Sequence, residues 1–120
     1  TGKDVTEFEY KRAFANFALK KFSQARMYFN QIAANKKHPY NEEGYYYSGL
    51  SSYYLKDYNA AYKSFQQLET SKKYGKIVPY YITSIKFINK EINTKEALEI
   101  SSLKKSTFFR YLKEFKENEE

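Results

Sequence analysis

Residues 13–36 and 49–72 are two versions of one text, 36 positions apart, and a chain written this way folds as stacked copies of one unit. Ala13 returns as Gly49, Phe17 as Tyr53, Leu19 as Leu55, Lys20 as Lys56 and Phe22 as Tyr58. Ala25 returns as Ala61, Phe29 as Phe65, Gln31 as Gln67, Ile32 as Leu68, and Lys36-Lys37 as Lys72-Lys73. A weaker third copy keeps Ala97 in the Ala25/Ala61 slot and puts Ile82 and Ile85 in the Tyr46 and Gly49 slots. Stacked repeats rarely carry chemistry; they present a surface.

The apolar spacing is helical almost throughout. Phe8, Phe14, Phe17 and Ala18 mark a helix over 4–20, and Lys21-Phe22 is a tight connection. Ser23 is placed to cap a second helix carrying Ala25, Tyr28, Phe29 and Ile32. Pro39, among Asn and Lys, predicts a loop over 35–40. Asn41 before Glu42-Glu43 reads as the cap and acidic first turn of a third helix with Tyr46, Tyr47, Leu50, Tyr53 and Tyr54. Asp57 opens a fourth helix with Ala61, Tyr62, Phe65 and Leu68 inward. Residues 77–92 form a fifth, with Pro79 in its first turn. Thr94 starts a sixth helix through Ala97, Leu98 and Ile100, and Ser106-Thr107 begins a terminal one with Phe108, Leu112 and Phe115.

The result is an all-α domain over 1–120, an α-solenoid of about three helix–turn–helix units at about 5–36, 41–72 and 77–104, plus a terminal helix at about 106–119. Composition agrees. Four Gly and two Pro are too few for the turns of an all-β chain, and the absence of Cys excludes disulfides and thiolate metal sites. No apolar run reaches the ~18 residues of a membrane span, and no signal peptide is visible. The chain opens on Thr1-Gly2-Lys3 without Met, as expected of a processed or excised piece, so its compartment, cytoplasm or cell envelope, is left open.

Paired antiparallel helices need small residues at their closest contact, which Ala13, Gly49, Ala25 and Ala61 supply. Phe22 and Tyr58 at the turns and Phe29 and Phe65 on the second helices fill the space around them. This pattern resembles the tetratricopeptide repeat, through Gly49, Tyr53, Asp57-Tyr58, Ala61, Phe65 and Leu68 in the second unit and Ala13, Phe17, Phe22, Ala25, Phe29 and Ile32 in the first. The Tyr-rich wording over 45–65 is similar to repeat proteins of the Bacteroidetes. The units are two residues longer than the ~34 of that family, and Glu9, Tyr45 and Tyr81 stand where it has Trp. Asn89, Thr94 and Ser101 stand in aromatic slots of the third unit.

The resemblance implies a right-handed superhelix whose first helices line a concave groove for an extended peptide or a helix. By position, the lining is Tyr10, Phe14, Phe17, Tyr46, Leu50, Tyr53, Tyr54, Lys86, Asn89 and Lys90. Tyrosine suits such a surface, being large, stiff and polar at its tip. The plainer account is that many of these rings pack between helices; yet 14 Tyr and 10 Phe exceed what one small core needs, so a surplus is expected at a surface or against a neighbouring copy of the chain. Lys86 and Lys90, four apart, can meet a carboxylate, though a solvated pair explains them as well. Phe14 and Phe17 occupy the place where chaperone-binding members of the family hold carboxylates, so that activity is not expected.

The function read from these features is a protein–protein interaction scaffold or adaptor. Two other readings are binding of nucleic acid along a lysine-rich edge and binding of carbohydrate by exposed rings. The net charge of +7 invites the first, but acids are interspersed, Arg is scarce, and the lysine pairs 36-37, 72-73 and 104-105 sit near the ends of second helices, where the dipole favours cations. No catalytic machinery, metal-ligand spacing or phosphate loop is visible, so neither an enzyme nor a cofactor is expected. His38 reads as an exposed loop residue, and Glu42-Glu43 as first-turn acids.

Overall fold

The computed structural model describes residues 2–89. They form five α-helices and no strand: α1 (Gly2–Ala18), α2 (Phe22–Ala34), α3 (Asn41–Tyr54), α4 (Tyr58–Gln66) and α5 (Val78–Ile88). The described residues are all-α, as their spacing predicts. Packing follows chain order, α1 on α2, α2 on α3, α3 on α4 and α4 on α5. The helices expected from Thr94 and from Ser106, and groove position Lys90, lie outside the described residues.

The 36-residue period reappears in the packing. Ala25 and Ala61 are fully buried, as are Phe29 and Phe65, and Ile32 and Leu68 are closed off in matching positions. Ala13, Gly49 and Ile85 share one buried slot on α1, α3 and α5. A Cβ on Gly49 would stand 2.7 Å from the Phe65 ring, so the small residue there admits the large one opposite. One apolar cluster gathers around Phe29 and a second around Phe65, and Phe17 and Tyr47 touch both.

The backbone repeats as well. Lys20 and Lys56 are the two non-glycine residues with positive φ among those described, at 61° and 64°. At the first turn the Lys20 N–H donates to Phe17 C=O and Lys21 N–H to Asn16 C=O, both at 2.9 Å. At the second, Lys56 N–H donates to Tyr53 C=O at 3.1 Å and Asp57 N–H to Ser52 C=O at 2.8 Å. Both are the paired bonds of a left-handed helix stop, with lysine where glycine is usual.

The helix ends depart from expectation in three places. α2 begins at Phe22 with Lys21 as its cap residue, so Ser23 lies inside the first turn and caps nothing. Tyr40, not Asn41, holds the cap position of α3; Asn41 instead donates its side-chain amide to Ala33 C=O at 2.7 Å and Asn35 C=O at 3.1 Å, closing the end of α2. α4 stops at Gln66, short of Leu68, which the spacing puts on its inward face, and the chain turns tightly to α5 around Gly75, whose N–H donates to Ser71 C=O at 2.8 Å. Asp57 does cap α4, accepting from Ala60 N–H at 3.3 Å.

Small residues cover the face of α3 that meets its neighbours. Ser48, Ser51 and Ser52 are buried, and Ser48 and Ser51 donate to Tyr45 and Tyr47 carbonyls on the same helix, so burial leaves their hydroxyls partnered. Gly44 sits against the α2 backbone, where a Cβ would lie 2.6 Å from Ala33 N. α3 is thus the helix on which both pairs close.

Candidate functional site

An aromatic run follows α1 and crosses to α3. Tyr10 stands 6.0 Å from Phe14, and Phe14 stands 6.2 Å from Phe17 and edge-on to Tyr47 at 5.4 Å. Phe17 meets Phe22 at 5.6 Å and Tyr54 at 6.3 Å, and Phe22 stacks on Tyr54 at 4.9 Å. Most of these rings are half-buried, but Phe14 is 39% exposed, an apolar ring held in place by its neighbours and open to water. The run ends at the α1–α2 turn in a hollow of about 320 Å³ lined by Phe17, Ala18, Lys20, Phe22 and Tyr54.

At the other end of the same helices stands a device that occurs twice. Glu7 and Tyr10 on α1 and Glu43 and Tyr46 on α3 occupy equivalent slots. Tyr40, from the loop after α2, donates its hydroxyl to Glu7 Oε1 and stacks on Tyr10 with centroids 4.1 Å apart. Tyr74, from the loop after α4, donates to Glu43 Oε2 at 2.8 Å and stacks on Tyr46 at 4.4 Å. In each case a loop ring is fastened by its tip and its face to one turn of a first helix. Lys73 adds a 2.8 Å bond to Glu43 in the second.

The charges follow from this geometry. Burial pushes the Glu43 carboxyl upward, but the bonds from Lys73 and Tyr74 outweigh it and hold the group below the usual carboxylate value. Burial, then the bond to Glu43, raises Tyr74; the bond to Glu7 raises Tyr40; burial raises Tyr10 and Tyr47. These tyrosines are neutral hydroxyls, suited to donate and accept hydrogen bonds and not to act as bases.

His38 is buried, against the expectation of an exposed loop residue. Its Nδ1 accepts from Tyr40 N–H at 3.0 Å, so a neutral ring carries its proton on Nε2 and directs it to Glu9 Oε1 at 3.3 Å. Nε2 thus pins the α2–α3 loop to α1, and Nδ1 holds the loop's own backbone at Tyr40. Glu43 likewise is more than a first-turn acid, and Lys73 more than a solvated helix-end cation, because they meet each other.

Of the positions expected to line a groove, Tyr10, Phe14, Phe17 and Tyr54 stand together in the aromatic run. Tyr46 lies under Tyr74 and beside Tyr81 at 6.4 Å. Leu50 and Tyr53 are buried in the cluster around Phe65. The Lys86 ammonium lies 6.0 Å from the Tyr62 ring of α4, and Asn89 is exposed just past α5. The sequence does not mark Glu7, Tyr40 or Tyr74 as site residues, and it shows Glu43, Tyr47 and Tyr81 only as a first-turn acid, a helix residue and a ring in the Trp slot; the recurrence of Glu7 as Glu43 is the available signal. Among the described residues no group of three His, Cys, Asp or Glu side chains could hold a metal ion, and no helix is long and apolar enough to cross a membrane. No protein-family model, curated protein or solved structure matches the chain.

Proposed function

We propose that this chain is an interaction scaffold, a stack of tetratricopeptide-like helix pairs that binds a peptide or a partner protein along its first helices. The observation that supports this reading is the aromatic run from Tyr10 to Tyr54 with Phe14 open to water. Exposed rings held rigidly by their neighbours lose little entropy on binding and offer large contact areas, the properties of interface anchors. The recurrence of buried slots and left-handed turns at one period supports the stacked arrangement.

The test is affinity capture from native extract with the wild-type chain and a Phe14→Asp variant. Phe14 is exposed enough for its replacement to leave the fold intact, which circular dichroism verifies. Loss of the captured protein with an unchanged melting temperature supports the reading; equal capture by both chains sinks it. Truncation of Tyr53, buried at 5% exposure, would damage the core and gives no such test.

A further inference from the structure

The hollow at the α1–α2 turn lies where the first unit has a small residue in an aromatic slot of the second. Ala18, in the slot that Tyr54 fills one period later, gives the hollow a small wall beside Phe17, Phe22 and Tyr54. The space, about 320 Å³, is at the small end for a binding pocket and has aromatic walls.

Lys20 lines the hollow, and the charge on the neighbouring segments is mostly positive. Over residues 17–26 and 52–61, which meet at this edge through the Phe22–Tyr54 stack, the cations are Lys20, Lys21, Arg26 and Lys56 and the one carboxylate is Asp57. Asp57 is already committed, to Arg26 at 2.9 Å and to the N-terminus of α4. Lys20, Lys21 and Lys56 have no ion-pair partner among the described residues. Lys20, which lines the hollow, also holds a left-handed conformation in which glycine would be less strained. Leu19 and Leu55 stand exposed beside these cations.

We propose that this hollow is the anchor pocket of the scaffold and takes one bulky apolar side chain of an acidic peptide segment, whose flanking carboxylates meet Lys20, Lys21 and Lys56. The inference rests on the binding reading above and specifies its ligand. The aromatic walls select the anchor, and the unpaired lysines select the charge around it. A single-stranded nucleic acid would offer a base to the aromatic walls and phosphates to the lysines, so an oligonucleotide is the competitor in the test.

The probe is a fluorescein-labelled, acetylated and amidated peptide with a central Phe and two Glu on each side, followed by fluorescence anisotropy. Control peptides replace the Phe with Gly, or every Glu with Gln. The expected result is saturable binding of the first peptide, weakened about fivefold or more by either control, as for loss of about 1 kcal/mol or more of contact. Ala18→Tyr, which puts a bulky side chain at the wall of the hollow, is expected to weaken binding as much. Lys20→Gly is expected to weaken binding while raising the melting temperature, a combination that damage to the fold cannot produce. Absence of binding, equal binding of the Gly peptide, equal competition by a single-stranded oligonucleotide, or unchanged affinity in Ala18→Tyr each overturns the proposal. If Phe14→Asp abolishes partner capture and Ala18→Tyr leaves it intact, the scaffold reading stands and this pocket falls.

Discussion

Glu7 and Glu43 hold the same slot one period apart and each accepts a hydrogen bond from a stacked loop tyrosine, yet the first is half-buried and the second buried. Glu43 is 9% exposed, Tyr74 is 8% exposed, and Lys73 supplies a second donor. Tyr40 is half-buried, and its loop is held in addition by His38. The same contact therefore carries different energy in the two units, because a buried acceptor that loses its donor keeps its desolvation cost, whereas an exposed one turns to water. The first unit faces outward along α1, and the second is closed between α2 and α5. Burial, not bond geometry, separates them.

The largest break in this comparison comes one residue further along the same helices, where the units differ most: Phe8 in the first and Gly44 in the second. Gly44→Ala places a methyl 2.6 Å from Ala33 N and 2.9 Å from Phe29 O, both backbone atoms, so α2 and α3 must separate. The expected loss is about 2–3 kcal/mol by chemical denaturation, the upper range for overpacking and larger than the gain in helix propensity. Phe8→Ala, at a residue 62% exposed, is expected to change stability by less than about 0.5 kcal/mol. Equal losses at the two sites would mean that α2 and α3 do not pack as closely as they do here.

Next come the hydroxyls. Tyr74→Phe removes a donor from Glu43 while preserving the ring stack, and an expected loss of about 1–3 kcal/mol follows from leaving a buried carboxylate underbonded. Tyr40→Phe removes the matching donor from Glu7 and is expected to cost clearly less, since water replaces it. Paired urea titrations compare the two directly. A larger effect at Tyr40 would reverse the ranking by burial.

The pH response sharpens the same contrast. Glu43 titrates below the ordinary carboxyl value of 4.5, so its stabilisation is complete above that value and is lost as pH falls through the lowered folded value. Tyr74 titrates above the ordinary 10.0, so its contribution is complete below 10.0 and declines as pH rises beyond it toward the raised folded value. Stability measured from pH 6 down to about 3 is expected to fall less steeply in Glu43→Gln than in the wild type. An unchanged acid slope would remove Glu43 from the account.

The sequence made the helices and shared core slots legible because both depend on apolar periodicity, which Ala25/Ala61 and Phe29/Phe65 display. It misjudged residues whose partners are distant. His38 looks like a loop histidine until α1 brings Glu9 to it across 29 positions, and Glu43 looks like a first-turn acid until Lys73 and Tyr74 arrive from 30 and 31 positions away. Local pattern states what a residue favours, whereas a loop's landing point depends on packing. Leu50 and Tyr53 show the same limit in the opposite sense: their repeat position suggests a lining, and the closure of α5 over α3 buries them. Phe14 remains outside because nothing among the described residues closes over α1 in that way.

The smallest effect bears on what the two units keep in common. Lys20 and Lys56 both stop a helix in the left-handed region, where a side chain costs about 1 kcal/mol relative to glycine. Lys20→Gly and Lys56→Gly are each expected to stabilise the fold by roughly 0.5–1 kcal/mol, less the entropy that glycine adds to the unfolded chain. The two increments should be nearly equal, because the hydrogen bonds of the two turns match and neither lysine has an ion partner among the described residues. Differential scanning calorimetry of the single and double variants measures both the size and the additivity. If Lys20→Gly stabilises and Lys56→Gly destabilises, the Lys56 side chain makes a contact that the first turn lacks, and the turns are alike in backbone alone. If both stabilise and add, the strain is local to each turn, and the presence of lysine at two such sites points to work done by the side chains and not by the backbone.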